Sequence, residues 1–328
     1  MIGGRPDRRA QRAFQQVQAA SKEAAELRRA GRNAAALNAA ERAVRECVAL
    51  AETAPVYRSS LVAVLLNAST LSRLNEDVLS WLHYAALSVA TAYDVQDATG
   101  QTPPEAGQAV EAFEQTTFLM AFGQGTDLLR ESLATVLDGS SPERRSDALE
   151  TIELCVRIGD RHRRAGAAET AIGHYTAATV ISDACHTLGL PFVAADCAAW
   201  MALAEARMMT TEYRQGARES AAQACSRALN SVAAWFRTEE VGLFFTPVDE
   251  LPAGADLLRR CAMASDLLIR YADVLETLGH MSEAVSMEVA GRILVEGMDR
   301  PERMELEISR NTAVERFNAV EQSFAEQP

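Results

Sequence analysis

Five arginines stand just before predicted helix–helix turns, where guanidinium groups can bind carboxylates. Arg29, Arg73 and Arg164 each stand two residues before a predicted turn position, and Arg28 and Arg163 stand beside two of them. A guanidinium group binds a carboxylate through two parallel N–H donors, so a row of arginines can hold an acidic segment or a C-terminal carboxylate. The alternative is that each arginine is solvated and paired with a neighbouring Glu or Asp. The sequence leaves both interpretations open.

Cysteines and histidines are the residues that would form a zinc site. Cys185, His186 and Cys197 are near one another in sequence, with His162 and His174 upstream. Zinc sites need closely spaced pairs of ligands, whereas adjacent residues on a helix point about 100° apart. No second close pair is present. We therefore expect no metal and no cofactor, and we interpret the histidines as partly buried packing residues.

The sequence contains no motif of an established catalytic class. There is no Gly-x-Ser-x-Gly, no His-Glu-x-x-His and no phosphate-binding loop. Gly123-Gln-Gly125 is interpreted as a turn, and Asp94 with Asp97 as a solvated helix end. A Cys–His pair brought together by the fold stays open. The prediction is nevertheless that the protein is not an enzyme.

The overall charge argues against nucleic acid and membranes as partners. The 328 residues have a net charge of −13, which disfavours binding to polyanions. The charge is uneven, because residues 1–60 carry 11 basic and 6 acidic side chains. We interpret residues 1–9 as a disordered basic leader. Four arginines in and just after it (Arg5, Arg8, Arg9 and Arg12) would bind nucleic acid only weakly.

The location expected for the chain is the cytoplasm. No apolar stretch of signal-peptide length occurs at the N-terminus, and the longest aliphatic run, residues 61–66, is too short to span a bilayer. The six scattered cysteines show no disulfide framework. Buried reduced thiols are typical of a reducing compartment.

Helical periodicity dominates the chain. Apolar residues recur at spacings of three and four, as in residues 33–54, and no sustained alternation predicts strands. Aromatic residues make up only 6% of the chain, so the core must consist mainly of small aliphatic side chains. Such residues let helices pack closely. Helix starts are predicted at Thr102-Pro103-Pro104-Glu105, Ser141-Pro142-Glu143 and Asp299-Arg300-Pro301-Glu302.

The helices occur in pairs that share one spacing. In residues 24–43, 158–178 and 271–291 a helix end is followed by a turn glycine, and an alanine comes five residues later. The glycines are Gly31, Gly166 and Gly279, and the alanines are Ala36, Ala171 and Ala284. The glycine permits a tight turn, and the alanine is predicted to lie where the two helices cross most closely.

This spacing resembles the tetratricopeptide repeat (TPR), whose pattern combines Leu-Gly and Tyr on the first helix with Ala and an aromatic residue on the second. Ile158-Gly159 matches the Leu-Gly pair, His162 stands at the tyrosine position, and Tyr175 and Ala178 follow on the second helix. Residues 68–87 and 201–224 match less well. The helices are long, as in bacterial and kinesin-light-chain-like repeats. The resemblance covers about two thirds of the chain.

The resemblance implies an all-α fold, a right-handed α-solenoid of about six to seven helix pairs. TPR-like repeats are expected at 10–96 and 146–240, and a degenerate helical pair at 97–145. An irregular connection or lid is expected at 241–254, and a last repeat with a capping helix at 255–328.

By the same resemblance, the function is non-catalytic binding of a protein or peptide. TPR proteins bind such segments on a concave face lined by the first helix of each pair, where the five arginines would lie. The alternative is a sensor that encloses a small molecule or peptide, with Phe244 and Phe245 as a wall; an all-α enzyme is third. The expected partner is an acidic or C-terminal segment, and a homo-oligomer is left open.

Overall fold

The regular secondary structure in the described part of the chain is all helical. A computed structural model describes residues 8–122, 126–188, 193–210, 219–228, 230 and 255–295. Within these ranges no residue belongs to a strand. The predicted all-α class is confirmed.

Twelve helices and one single-turn 3-10 helix account for the regular structure of these ranges. They are α1 (Arg8–Arg29), α2 (Asn33–Thr53), the 3-10 turn Pro55–Tyr57, α3 (Arg58–Leu74), α4 (Val78–Thr99), α5 (Ala106–Phe122), α6 (Thr126–Leu137), α7 (Pro142–Arg164), α8 (Ala168–Thr187), α9 (Val193–Thr210), α10 (residues 219–228), α11 (Ala255–Leu278) and α12 (Met281–Val295). No described helix is both long and apolar enough to cross a membrane.

The chain divides into two compact units. Unit 1 comprises residues 1–161 and 176–188, and unit 2 comprises residues 162–175 and 189–328. The turn between α7 and α8 therefore belongs to unit 2. The predicted boundaries at 97, 146 and 241 stay predictions.

In unit 1, helices that follow one another in sequence pack against one another. α1 packs on α2, α2 on α3, α3 on α4 and α4 on α5. An apolar cluster from the first three helices runs from Val17 to Leu71 and contains many alanines, including Ala36, which is fully buried. Because alanine has a short side chain, helices that meet through alanines can approach closely.

Four helix–helix turns share one hydrogen-bonding pattern. In the first, the N–H of Gly31 donates to the carbonyl of Arg28 at 3.0 Å, and the N–H of Arg32 donates to Leu27 at 2.9 Å. The same pair of bonds closes the turns at residues 72–77, 162–167 and 275–280. This is a Schellman-type helix end, in which the residue in the left-handed conformation is followed by one more residue before the next helix.

Glycine occupies the left-handed position in three of these turns, and glutamate occupies it in the fourth. The φ angles are 72° at Gly31, 81° at Gly166, 87° at Gly279 and 59° at Glu76. The left-handed conformation favours glycine because it crowds a Cβ. The predicted turn glycines are confirmed, and the turn at Glu76 has the same geometry without its glycine.

The predicted small residues after the turns are also confirmed. Ala36 and Ala171 are fully buried, and Ala284 is 6% exposed. Trp81 stands at the corresponding position after Glu76, and its N–H donates to Asp77 just as the N–H of Ala36 donates to Arg32. The large residue at this place explains why the hairpin of α3 and α4 matched the repeat pattern poorly.

In unit 2, α11 and α12 form a closely packed hairpin. The hydroxyl of Ser265 donates to the carbonyl of Gly291 at 2.7 Å. A Cβ added to Gly291 would lie 3.0 Å from the carbonyl oxygen of Ser265. Glycine at this position therefore allows the two helix backbones to meet.

Candidate functional site

A hydrogen bond brings two of the hairpin turns of unit 1 together. Asn75, at the end of α3, donates through Nδ2 to the carbonyl of Asn33, the first residue of α2, at 3.2 Å. The turn between α1 and α2 therefore lies beside the turn between α3 and α4. We call this end of unit 1 the turn end.

The turn end carries three of the predicted site residues. Arg28 and Arg29 end α1, Arg73 lies in the last turn of α3, and all three are exposed. Within the described residues none of them forms an ion pair, whereas Arg42 in the middle of α2 pairs with Glu23. Positive charge at a helix C-terminus also interacts favourably with the helix dipole.

Two further arginines lie at the turn end and were missed in the sequence. Arg32 is the exposed residue between Gly31 and α2, and Arg145 is exposed in the first turn of α7. Arg145 is placed here because its neighbour Arg144 binds Asp77, the residue that precedes α4. Arg32 was detectable as a charged residue within a predicted turn. No sequence signal related Arg145 to this turn, since its neighbour Arg144 is 67 residues from Asp77.

The hydrogen bonds correct the predicted alignment of the arginines by one residue. The sequence pattern aligns Arg73 with Arg29 and Arg164. The carbonyl groups that accept from the left-handed residues belong instead to Arg28, Arg73 and Arg163. The reason is that the left-handed residue is Glu76, and its position was not evident without a glycine. Glu276 takes the same place in the fourth turn.

The last two predicted site residues lie in unit 2 and differ from one another. Arg163 is partly buried and donates to Glu205 of α9 at 2.6 Å. Arg270 of α11 pairs with the same carboxylate. Arg164 is exposed. Arg163 thus has the carboxylate partner that the alternative interpretation expected, and its role in partner binding stays a prediction.

Asp77 connects α4 to α7 at their first turns. Its carboxylate accepts from the N–H of Ser80 at 3.1 Å, which caps α4, and binds Arg144 through two bonds of 2.8 and 3.0 Å. Burial alone would raise the pKa of Asp77, but the hydrogen bonds from Arg144 and Ser80 outweigh it and the pKa is lowered. The Asp77–Arg144 pair therefore remains ionised over most of the pH range.

Further ion pairs connect α4 and α7 near their C-terminal ends. Asp97 accepts two bonds from Arg161, at 2.6 and 3.0 Å, and the Arg161 guanidinium lies 4.2 Å from the centre of the Tyr93 ring. Arg157 lies 3.7 Å from Asp94. The N-terminal end of α4 is thus paired with the N-terminal end of α7, and the C-terminal end of α4 with the C-terminal end of α7. The two helices therefore run parallel. Asp94 and Asp97 thus have structural partners.

Between these ends, His83 of α4 contacts three residues of α7. Its Nδ1 lies 3.0 Å from Oγ1 of Thr151, and its Nε2 lies 3.9 Å from Asp147 and 4.0 Å from Glu150. Burial lowers the pKa of His83, against the opposing effect of Asp147 and Glu150. The imidazole is therefore neutral near pH 7.

The carboxyl group of Glu41 on α2 and the phenol of Tyr84 on α4 both lie near Asp77 and Asp147. Burial raises the pKa of Glu41 on α2, which also lies near Arg45 and Asp77. Burial raises the pKa of Tyr84 as well, with Glu41 contributing. The phenol therefore stays protonated at physiological pH, and it can donate a hydrogen bond.

The described cysteines are free and lie in the core. Cys47, Cys155, Cys185 and Cys225 are all buried. Burial raises the pKa of Cys47 to about 11 and the pKa of Cys155 and Cys225 to about 12. Because the thiolate is the nucleophile, these thiols are poorly reactive at neutral pH.

The histidines considered as zinc ligands form a pair in unit 2. The ring centres of His162 and His174 are 5.0 Å apart. Burial and the neighbouring His162 lower the pKa of His174 to about 3. Cys185 is buried and His186 is exposed, so these two neighbours point apart as expected. The side chain of Cys197 lies outside the described residues, as do Gly123, Gly125, Phe244 and Phe245.

Comparison with known proteins gives only distant similarity. No family model matches the chain, and no curated protein matches it. Among solved structures, BtubC (BKLC) from P. vanneervenii is 15% identical with a TM-score of 0.35, covering 80% of this chain and 91% of that one. The S. pombe nuclear import adaptor Nro1 is 10% identical with a TM-score of 0.36, covering 94% and 99%. These superpositions are loose.

Proposed function

We propose that the protein is a non-catalytic, TPR-like helical-repeat scaffold that binds an acidic or C-terminal segment of another protein at the turn end of unit 1. The observation that carries the proposal is the Asn75–Asn33 hydrogen bond. It joins the turns of two successive helix hairpins, and so Arg28, Arg29 and Arg73 share one exposed end. Carboxylates are the natural ligands of such a row of guanidinium groups.

The TPR-like assignment is supported by the local geometry of the helix pairs. Four turns have the same two hydrogen bonds. Three of them combine the turn glycine with a buried alanine five residues later. Each hairpin in such an array buries a face against its neighbours, and the stacked hairpins present an extended surface for binding.

We also propose that the protein is cytoplasmic. The cysteine thiols support this location and the non-catalytic part of the proposal. A cysteine nucleophile needs a lowered pKa, and burial raises the pKa of Cys47 and Cys155. Free cysteines are expected in a reducing compartment. Both parts remain proposals.

Affinity purification with charge-reversed variants tests the proposal. The turn-end variant combines Arg28→Glu, Arg29→Glu and Arg73→Glu. The matched control combines Arg8→Glu, Arg12→Glu and Arg58→Glu, which make the same charge change near the N-termini of α1 and α3. Helicity of each variant is checked by circular dichroism.

The proposal expects a protein partner that copurifies with the wild type and the control and is lost from the turn-end variant. A partner retained equally by all three proteins would contradict binding at the turn end. Conversion of a captured small metabolite by the purified protein would contradict the non-catalytic part.

A further inference from the structure

A polar layer lies between the N-terminal halves of α4 and α7, beside α2. Its members are Glu41, Arg45, Asp77, Ser80, His83, Tyr84, Arg144, Asp147, Glu150 and Thr151. Asp77 and Arg144 neutralise one another, and Arg45 lies near Glu41. Among the described residues, the only cationic side chain within ion-pair distance of the remaining carboxylates, Asp147 and Glu150, is His83, which carries a charge only when protonated.

The hydrogen bonds of Thr151 decide which nitrogen of His83 carries the proton. The Thr151 hydroxyl donates to the carbonyl of Asp147 at 2.5 Å. A hydroxyl has one proton, so its oxygen must accept from Nδ1–H of His83. In the neutral ring Nε2 is then an acceptor. The side chain is only 7% exposed, and Nε2 lies beyond hydrogen-bonding distance of both carboxylates.

The distances from Nε2 of His83 to the two carboxylates discriminate between a metal ion and an ammonium group. Metal–ligand bonds of about 2.1 Å hold adjacent ligand atoms about 3.0–3.4 Å apart. Hydrogen bonds of about 2.8 Å from one ammonium nitrogen hold adjacent acceptors about 4.0–4.6 Å apart. The observed spacings from Nε2 are 3.9 and 4.0 Å. Both distances exceed the spacing of metal ligands and are close to the lower end of the range for acceptors around one ammonium nitrogen.

We propose that His83, Asp147 and Glu150 bind a primary ammonium group supplied by a partner, either a lysine side chain or a peptide N-terminus. An ammonium group has three N–H donors, one for Nε2 and one for each carboxylate. The Asp147 and Glu150 side chains are 41% and 52% exposed, so the ligand can reach them from solvent. The Tyr84 ring, centred 5.5 Å from the His83 ring, borders the group. We call this group the ammonium site.

Titration with defined amines tests the proposal. Binding is measured from the ¹⁵N NMR chemical shifts of the imidazole nitrogens. The probes are Nα-acetyl-lysine methylamide, its Nε-acetylated form, and glycinamide. The lysine probe is expected to shift the Nε2 resonance of His83, and the Nε-acetylated probe to leave it unchanged. Glycinamide shows whether an α-ammonium is accepted. Equal shifts with charged and acetylated lysine, or no shift with either charged amine, would overturn the proposal.

Two conservative variants locate the acceptors. Glu150→Gln and Asp147→Asn keep side-chain size, and each is expected to weaken binding of the charged amine about tenfold, the effect of losing a charged hydrogen-bond acceptor. Glu143→Gln on the same helix makes the same charge change at an exposed carboxylate and should bind normally. Unchanged binding in the folded Glu150 and Asp147 variants would overturn the assignment. So would zinc chloride that shifts Nε2 and prevents amine binding at equimolar concentration.

Discussion

At the residue scale, the left-handed position of each hairpin turn is the point where sequence and geometry agree or disagree most clearly. Glycine satisfies this position in three turns, and Glu76 adopts the same conformation with φ at 59°. A non-glycine residue there crowds its Cβ against the following carbonyl oxygen, which costs about 1 kcal/mol. The turn at Glu76 is held in this conformation by its neighbours, including Asn75.

Glu76→Gly is expected to stabilise the protein by about 1 kcal/mol, since glycine removes the crowding. Gly31→Ala should destabilise it by a similar amount. Urea unfolding followed by circular dichroism measures both changes. Glu76→Ala is the control, because it removes the carboxylate and keeps a Cβ. If Glu76→Ala raised the free energy of unfolding as much as Glu76→Gly, crowding of the Cβ would not be the cause.

The Asp77–Arg144 pair makes a second prediction at this scale. Asp77→Asn should destabilise the protein by about 2 kcal/mol, because Arg144 then has no charged partner in a partly buried place. Asp97→Asn, which affects the exposed partner of Arg161 on the same two helices, should cost much less. Urea unfolding of both variants provides the comparison. Equal losses of unfolding free energy would contradict the claim that burial makes the Asp77–Arg144 pair the stronger one.

The contribution of Asp77 should also depend on pH in one direction. The pKa of Asp77 is lowered in the folded protein, so the folded state binds fewer protons than the unfolded state. The stabilisation is therefore complete above the unfolded pKa of a carboxyl group and is lost as the pH falls through the folded pKa. The difference in unfolding free energy between wild type and Asp77→Asn should shrink on acidification. A difference that grows towards acid pH would contradict the lowered pKa.

At the element scale, small residues set how closely paired helices approach. Ala36 is fully buried where α2 meets α1. Ala36→Leu should destabilise the protein by about 1–3 kcal/mol, since extra methyl groups in a packed place force side chains or backbone to move. Asn38→Leu on the exposed side of α2 should have little effect. Thermal unfolding measures the two variants, and a stable Ala36→Leu protein would show that the hairpin is not tightly packed there.

Local elements were predictable from the sequence wherever one residue type carries the signal. The turns at Gly31, Gly166 and Gly279 and the helix start at Ser141 were all found. The start predicted at Thr102 is too early, because α5 begins at Ala106 after the two prolines. The turn at Glu76 was misplaced by one residue because no glycine marks it.

The candidate sites were less predictable because they depend on residues far apart in sequence. The position of Arg28, Arg29 and Arg73 before turns was predictable, and their role in binding stays a prediction. The group of His83, Asp147 and Glu150 was missed, since periodicity describes one helix at a time. It shows which residues share a face but does not show that α4 and α7 run parallel.

At the scale of the whole molecule, an acidic chain presents arginines at the end where two of its turns meet. The net charge of −13 favours partners other than polyanions, while the turn end provides a local exception. Binding there should weaken as salt concentration rises, because exposed charges are screened by ions. An apolar docking surface would show little salt dependence.

The most direct test of the central claim is the binding of a fluorescent peptide of consecutive glutamates, measured by anisotropy in increasing sodium chloride. The wild type and the variant at Arg8, Arg12 and Arg58 should bind with the same salt-sensitive affinity. The variant at Arg28, Arg29 and Arg73 should bind about tenfold or more weakly, since three favourable charges become repulsive. Equal affinity of both variants for the peptide would contradict the claim that the turn end binds acidic segments.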